Sequence, residues 1–185
     1  MRIFSALEIP EKVKKEISKI QSQLRTANVQ ARWVRPEIAH LTVVFLGETS
    51  PNKVREIEKI LKEASSQISP VGLWLDKIDR FPSPTRAKII HLLLKGELGK
   101  LNTLSLKIQK SLKNKKIYFD QKPFVPHLTL GRLKKPQNLN GSLSKIKIPR
   151  LKFFINQLNL IQSTLTPQGP IYKTLASFEL KAKNC

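Results

Sequence analysis

The residues best suited to chemistry sit in two short stretches that match in register. The first is Pro36-Glu37-Ile38-Ala39-His40-Leu41-Thr42-Val43-Val44-Phe45-Leu46, and the second is Pro123-Phe124-Val125-Pro126-His127-Leu128-Thr129-Leu130-Gly131-Arg132-Leu133. The chain has only three histidines, and two of them open a His-Leu-Thr. Both stretches are apolar, carry β-branched residues and have proline before them and glycine within or after, which predicts strands over 36–46 and 123–133. Side chains alternate across a strand, so His40 shares a face with Thr42, and His127 with Thr129. Leu41, Val43, Leu128 and Leu130 point to the opposite face. A single histidine on a strand is most often a packing residue. An in-register repeat of imidazole and hydroxyl instead suggests one site with paired histidines.

An imidazole titrates at about 6.5, so one ring can accept a proton while its twin donates one. Displacement at phosphorus or at a carbonyl needs both together. A base activates water, an acid protonates the leaving oxygen, and hydroxyls and amides bind the oxygens as charge develops. Other chemistries lack their residues. No His/Cys/Asp/Glu cluster has metal-ligand spacing, so no metal and no cofactor are expected. Gly-x-x-x-x-Gly-Lys and Gly-x-Ser-x-Gly are both absent. Arg132 is the obvious cation for a phosphate, but it lies five residues after His127, and a regular strand would point it away. Gly131 could carry a bulge that re-aims it; a solvent-facing arginine at a strand end is the alternative. His91, in Ile89-Ile90-His91-Leu92, has no threonine two residues on and reads as structural or as a cleft wall. Trp33, Phe81 and Tyr172 could stack on bases, although packing is the commoner fate of such rings.

Several elements must position these residues. Residues 2–8 alternate as a mostly buried strand. Pro10 and Glu11 open a helix whose stripe is Val13, Ile17, Ile20 and Leu24. Residues 28–36 form a basic connection. After the first His-Leu-Thr strand, Gly47 closes it, Ser50 can cap, and Pro51 opens a helix with Val54, Ile57, Leu61, Ala64 and Ile68 inward. Strands near 71–79 and 86–94 flank the break Phe81-Pro82-Ser83-Pro84. Leu98, Leu101, Leu104, Ile108 and Leu112 mark another helix, and a short strand is expected near 116–120. Residues 134–149 read as a basic loop, followed by strands near 151–163 and 171–180 around Thr166-Pro167-Gln168-Gly169-Pro170. Helix, His-Leu-Thr strand and proline-broken hairpin thus recur. The expectation is an α+β fold, a single bilobal domain over 1–185 with an internal duplication. Its two antiparallel sheets, flanked by helices, face a central cleft.

Charge narrows the partner. The chain has 185 residues with 34 Lys and Arg against 13 Asp and Glu, formally +21. Such a field attracts polyanions, nucleic acid first and anionic membrane second. RNA suits the histidine pair best, because its 2′-hydroxyl forms strained 2′,3′-cyclic phosphates that open without a metal. The only cysteine, Cys185, excludes an internal disulfide and fits a reducing compartment. The N-terminus lacks a signal-peptide pattern and no run suits a membrane span, so a cytoplasmic protein without membrane attachment is expected.

The paired His40-Leu41-Thr42-Val43 and His127-Leu128-Thr129-Leu130 resemble the motifs of the 2H phosphoesterase superfamily. The resemblance is to its bacterial and archaeal RNA 2′,3′-cyclic phosphodiesterases, also named 2′-5′ RNA ligases. It extends through Arg2-Ile3-Phe4-Ser5-Ala6-Leu7, Trp33-Val34-Arg35-Pro36-Glu37, Phe45-Leu46-Gly47, Phe81-Pro82-Ser83-Pro84, Arg132-Leu133 and Gly169-Pro170-Ile171-Tyr172. Ile38 departs from it, since relatives often carry Asn there. The resemblance implies a pseudo-twofold bilobal fold and metal-free opening of RNA 2′,3′-cyclic phosphates to 2′-phosphates. It implies His40 as proton donor, His127 as proton acceptor, Thr42 and Thr129 beside them, and Arg132 on the phosphate. It also links the site to joining of tRNA halves through a 2′-5′ bond. RNA with cyclic-phosphate ends is the expected partner and a monomer the expected state. A non-catalytic RNA-binding module, or an enzyme acting on 2′-5′ oligonucleotides, is the competing reading.

Overall fold

A computed structural model describes residues 1–181, and Cys185 lies outside them. The elements in order are β1 (Arg2–Glu8), α1 (Glu11–Thr26), β2 (Ala31–Trp33), a 3-10 turn over Pro36–Ile38, β3 (His40–Glu48), α2 (Pro51–Ser65), β4 (Val71–Phe81) and β5 (Ala87–Gly96). Then come α3 (Leu98–Asn114), β6 (His127–Gln137), β7 (Lys152–Ile155), β8 (Gln157–Thr166) and β9 (Gly169–Glu179). They form two antiparallel sheets, a four-stranded one ordered β3-β1-β8-β9 and a five-stranded one ordered β2-β6-β5-β4-β7. The first and last of these strands therefore share a sheet. Each sheet carries one His-Leu-Thr, on β3 and on β6.

The predicted helix stripes are the buried ones. Val13, Ile17, Ile20 and Leu24 of α1 are fully buried, as are Leu101, Leu104, Ile108 and Leu112 of α3. Helix α2 packs on β8 and β9, while α3 touches α2, β3 and β4. On the other sheet, the Lys12 ammonium of α1 donates to the Lys152 carbonyl of β7. One continuous apolar cluster joins helices and both sheets. A second, smaller one lies on the other face of β1, where Phe4, Ala6 and Ile161 pack with Tyr172.

Several boundaries differ from the expectation, each for a backbone reason. The two motif strands begin at their histidines, because Pro36 starts a 3-10 turn and residues 123–126 hold two prolines. Residues 31–33 are a strand rather than plain connection, since they pair with Gly131–Leu133 along the free edge of β6. Strand β6 runs on to Gln137, into the expected loop. The stretch 116–120 is not a strand. Ile117 and Phe119 are buried, and the Asp120 amide donates to the Phe45 carbonyl, but no ladder forms. The region 151–163 is two strands, broken at Asn156. Ser50 is the N-cap of α2 without a side-chain capping bond, and Ile68 lies beyond the end of that helix, although buried.

Both motif strands carry a bulge at the same place. On β3, Thr42 faces Ala6 and Val44 faces Ser5, which leaves Val43 without an opposite residue. On β6, Thr129 faces His91 and Gly131 faces Ile90, which leaves Leu130 without one. The extra residue breaks strict alternation. Val43 with Val44, and Leu130 with Gly131, are therefore buried in succession, while Phe45 and Arg132 emerge on the histidine face.

The carbonyl of the extra residue Leu130 needs donors outside the regular ladder. It accepts from the Val34 amide at 3.0 Å and from the buried Gln21 side chain at 2.9 Å, and the same Gln21 nitrogen donates to the Val34 carbonyl at 2.7 Å. Gln21→Met keeps the volume and removes both side-chain bonds. It should destabilise the protein by about 1–3 kcal/mol, measured as a lower midpoint in urea at unchanged slope.

Candidate active site

The histidine faces of β3 and β6 meet where the two sheets adjoin. His40 and His127 are near enough that positive charge on His127 disfavours charge on His40. Each ring is held in the same way. The Nδ1 atom of His40 lies 2.9 Å from the Ile38 carbonyl, and that of His127 lies 2.7 Å from the Val125 carbonyl. A carbonyl only accepts, so Nδ1 carries the proton in both rings. Nε2 is left for chemistry, as a lone pair when the ring is neutral and as an N–H when it is charged. The turns ahead of each strand thus set the tautomer: the Pro36–Ile38 turn for His40 and the Val125-Pro126 segment for His127.

The two walls differ. Around His40 the surroundings are aromatic. Its ring centroid is 4.9 Å from Phe4 and 5.3 Å from Tyr172, and Phe4 lies 5.8 Å from Phe45. Burial lowers the His40 pKa most, the Ile38 carbonyl raises it, and His127 lowers it further. Around His127 stand His91, edge-on at 5.2 Å, and Phe81 at 6.0 Å. Burial pushes the Tyr172 hydroxyl pKa up, against the pull of Arg132 and Arg2. Arg132 shares the histidine face of β6, and Arg2 shares the Phe4 face of β1. Thr42 and Thr129 are half-buried on the faces of their histidines. A phosphoryl group between the walls would meet two Nε2 atoms, two hydroxyls and a guanidinium.

Phe81 and Tyr172, noted in the sequence as candidate stacking rings, both border the cleft. Trp33 does not. Its ring covers Gly131, where an added Cβ would meet it at 3.0 Å, and carries the Arg25 guanidinium at 5.2 Å. Close approach of β2 at the bulge therefore leaves little room for a side chain at position 131. Phe4 and Phe45, quoted in the sequence only within the stretches that carry the resemblance, are not among its candidate stacking rings. Among the described residues no three His, Cys, Asp or Glu side chains gather as a metal site would. No helix among them is long and apolar enough to cross a membrane.

Comparison with known proteins defines the class. The model of the LigT-like phosphoesterases matches residues 7–91 and 95–172. The chain belongs to this family and is an enzyme of the phosphodiesterase class. Relatives named RNA 2′,3′-cyclic phosphodiesterase include one from Methanocaldococcus jannaschii, 33% identical over 95% of this chain and 98% of its own. Another, from Methanothermobacter thermautotrophicus, is 30% identical over 97% and 99%. Among solved structures, a Thermus thermophilus protein superposes over the whole of both chains with a TM-score of 0.85 at 25% identity. Escherichia coli LigT, solved with 3′-AMP, shares the fold at a TM-score of 0.77 and 20% identity, over 97% of this chain and 98% of its own.

His91 is a titratable group that lies inside the wall of the site. It is 1% exposed, stacks on Phe81 at 4.4 Å, and finds no hydrogen-bond partner for either ring nitrogen among the described residues. Burial, and then the neighbouring His127, hold its pKa down to about 4 against the pull of Asp79 across the β4–β5 pair. Between about pH 6.5 and 4 the unfolded chain then binds a proton that the folded one refuses. The folded state is thus favoured above pH 6.5 and loses that advantage as pH falls, by at most about 3 kcal/mol from this group. His91→Phe should flatten the decline in urea-unfolding free energy between pH 7 and pH 4. An identical decline in the two proteins would mean that His91 protonates freely in the folded state.

Proposed function

We propose that this enzyme opens RNA 2′,3′-cyclic phosphates to 2′-phosphomonoesters with His40 as general acid and His127 as general base. The observation that carries the reading is the matched pair of imidazoles, each tied through Nδ1 to a carbonyl two residues back, which leaves Nε2 of each ring for the substrate. The family's relatives, and the excess of cations over acids, support RNA as substrate.

The reaction follows from the proton positions. Neutral His127 accepts a proton at Nε2 from water as the water oxygen attacks phosphorus. The bond from phosphorus to the ribose 3′-oxygen breaks, and Nε2–H of charged His40 protonates that oxygen. The product keeps phosphate at the 2′ position and regains a 3′-hydroxyl. His40 ends neutral and His127 charged, and exchange with solvent resets them. The Thr42 and Thr129 hydroxyls donate to the non-bridging oxygens, and Arg132 balances their growing charge with a planar donor pair. No step passes through a metal. An RNA hydroxyl in place of water would give the 2′-5′ ligation of tRNA halves at the same site. The two bulged motif strands support the further proposal that the chain is one bilobal domain, internally duplicated, with Phe45 occupying in one half the place of Arg132 in the other.

Turnover should require one charged and one neutral ring, so its pH profile should be bell-shaped, with limbs belonging to the pair. In the empty cleft the lowered His40 pKa brings the alkaline limb of kcat/KM below 6.5. A bound phosphodiester anion favours the charged ring, so the alkaline limb of kcat should lie higher. His40→Ala and His127→Ala should each lose on the order of a hundredfold to ten-thousandfold, and the double variant far less than the product. A substrate with a better leaving group should rescue only His40→Ala. Rescue of His127→Ala instead would exchange the two roles, and release of a 3′-phosphate would refute the reading.

A further inference from the structure

Two arginines stand directly opposite one another on the five-stranded sheet. Arg32 of β2 faces Arg132 of β6. Directly opposed residues share a face of the sheet, with Cβ atoms about 4.5–5.5 Å apart. Arg132 is on the histidine face, because it faces Ile89 of β5 while Thr129 faces His91, two residues further along the same strand. Arg32 is therefore on that face as well. Its neighbours Ala31 and Trp33 lie over Gly131 on the other one. Both arginine side chains are exposed. Like charges directly opposite weaken a strand pair. Among the described residues neither guanidinium has a carboxylate within ion-pair distance.

Arg32 is nonetheless held in place. Its Nη2 atom donates to the Pro167 carbonyl at 2.8 Å and lies 3.9 Å from where a Cβ of Gly169 would stand. Pro167 belongs to the turn between β8 and β9, in the four-stranded sheet. The Arg32 arm thus crosses from one sheet to the other. Three residues past Gly169, Tyr172 stands edge-on to His40, and the charge of Arg132 acts on its hydroxyl. The crossing therefore lies at the end of the cleft that Tyr172 and Arg132 border. A guanidinium has five donors in a planar fork, and the Pro167 bond uses only Nη2. A carbonyl accepts equally from a neutral donor, so bracing the turn calls for no charge. A second guanidinium beside Arg132 costs stability unless an anion joins the pair.

We propose that Arg32 forms a second phosphate subsite, which binds the 5′-phosphate of the terminal nucleotide while Arg132 takes the cyclic phosphate. In an RNA chain that 5′-phosphate is the diester joining the last nucleotide to the one before it. The inference rests on the RNA phosphodiesterase reading and deepens it by naming a second group on the substrate. Like charges on adjacent strands splay apart, so the two arginines suit two phosphates one sugar apart better than a single phosphate.

The test compares kcat/KM for adenosine 2′,3′-cyclic phosphate with and without a 5′-phosphate. The wild-type enzyme should prefer the 5′-phosphorylated substrate, and the preference should shrink as salt rises. Arg32→Gln removes the charge and keeps an N–H donor. It should reduce the preference on the order of tenfold, through KM rather than kcat, as loss of one charge-assisted bond does. Arg32→Lys should keep part of the preference, since it retains the charge without the fork. No wild-type preference, or both substrates slowed alike by Arg32→Gln so that the preference stays, overturns the subsite while leaving the phosphodiesterase reading standing. The second result would assign Arg32 to bracing the β8–β9 turn. Turnover of neither substrate by the wild type overturns the phosphodiesterase reading and the subsite with it.

Discussion

One extra residue in each motif strand governs the geometry of this cleft. A regular strand would send Phe45 and Arg132 to the buried face, in the middle of the apolar cluster. The bulges at Val43 and Leu130 shift the alternation once, so that histidine, threonine and the residue five places on share one face. The burial of a guanidinium without partners costs several kcal/mol, so the shift is what makes an arginine tolerable at position 132. Much of the surrounding structure sustains that local irregularity. Gln21 and the Val34 amide satisfy the carbonyl that the bulge displaces, and β2 with Trp33 lies close over Gly131.

From near-identical strands the fold makes unlike walls. His40 is enclosed by Phe4 and Tyr172, whose low polarity disfavours the imidazolium and leaves it as a ready proton donor when charged. His127 stands against a second, buried imidazole that is neutral over the working pH range. Two chemically identical groups in different surroundings can then take opposite parts in proton transfer. The asymmetry continues one bulge further along, where one strand presents the Phe45 ring and the other the Arg132 guanidinium. One wall is thus suited to a base and the other to a phosphate.

Much of this was legible in the residues. The helix stripes, the strand pairs around the proline breaks and the two-sheet arrangement follow from periodicity and from proline and glycine placement, which are local properties. The histidine pair was legible because the repeat stood in register. What escaped notice depends on contacts between distant segments. Residues 31–33 are too short and too charged to announce a strand and become one only by pairing with β6. Residues 116–120 have the alternation of a strand, but the amides of Lys116 and Ile117 donate back to the end of α3 and that of Asp120 to one carbonyl of β3, so no ladder forms. His91 reads from the sequence as structural or as a cleft wall, with no partner named for it. Its place behind His127 comes from the pairing of β5 with β6, which no local pattern states. Phe4 likewise gained its place beside His40 only from the β1–β3 pairing.

The account stands on the claim that both catalytic rings present Nε2 to one phosphoryl group. Nitrogen-15 NMR of the three imidazoles, free and with adenosine 2′-monophosphate, the nucleotide product of the proposed reaction, tests it directly. In the free protein at alkaline pH, His40 and His127 should both show the Nδ1-protonated tautomer. On binding, their two Nε2 signals should move together toward the hydrogen-bonded, protonated range while the nitrogens of buried His91 stay at their neutral values. An Nε2-protonated tautomer in either ring, or a phosphate that shifts one catalytic histidine and not the other, would contradict the account.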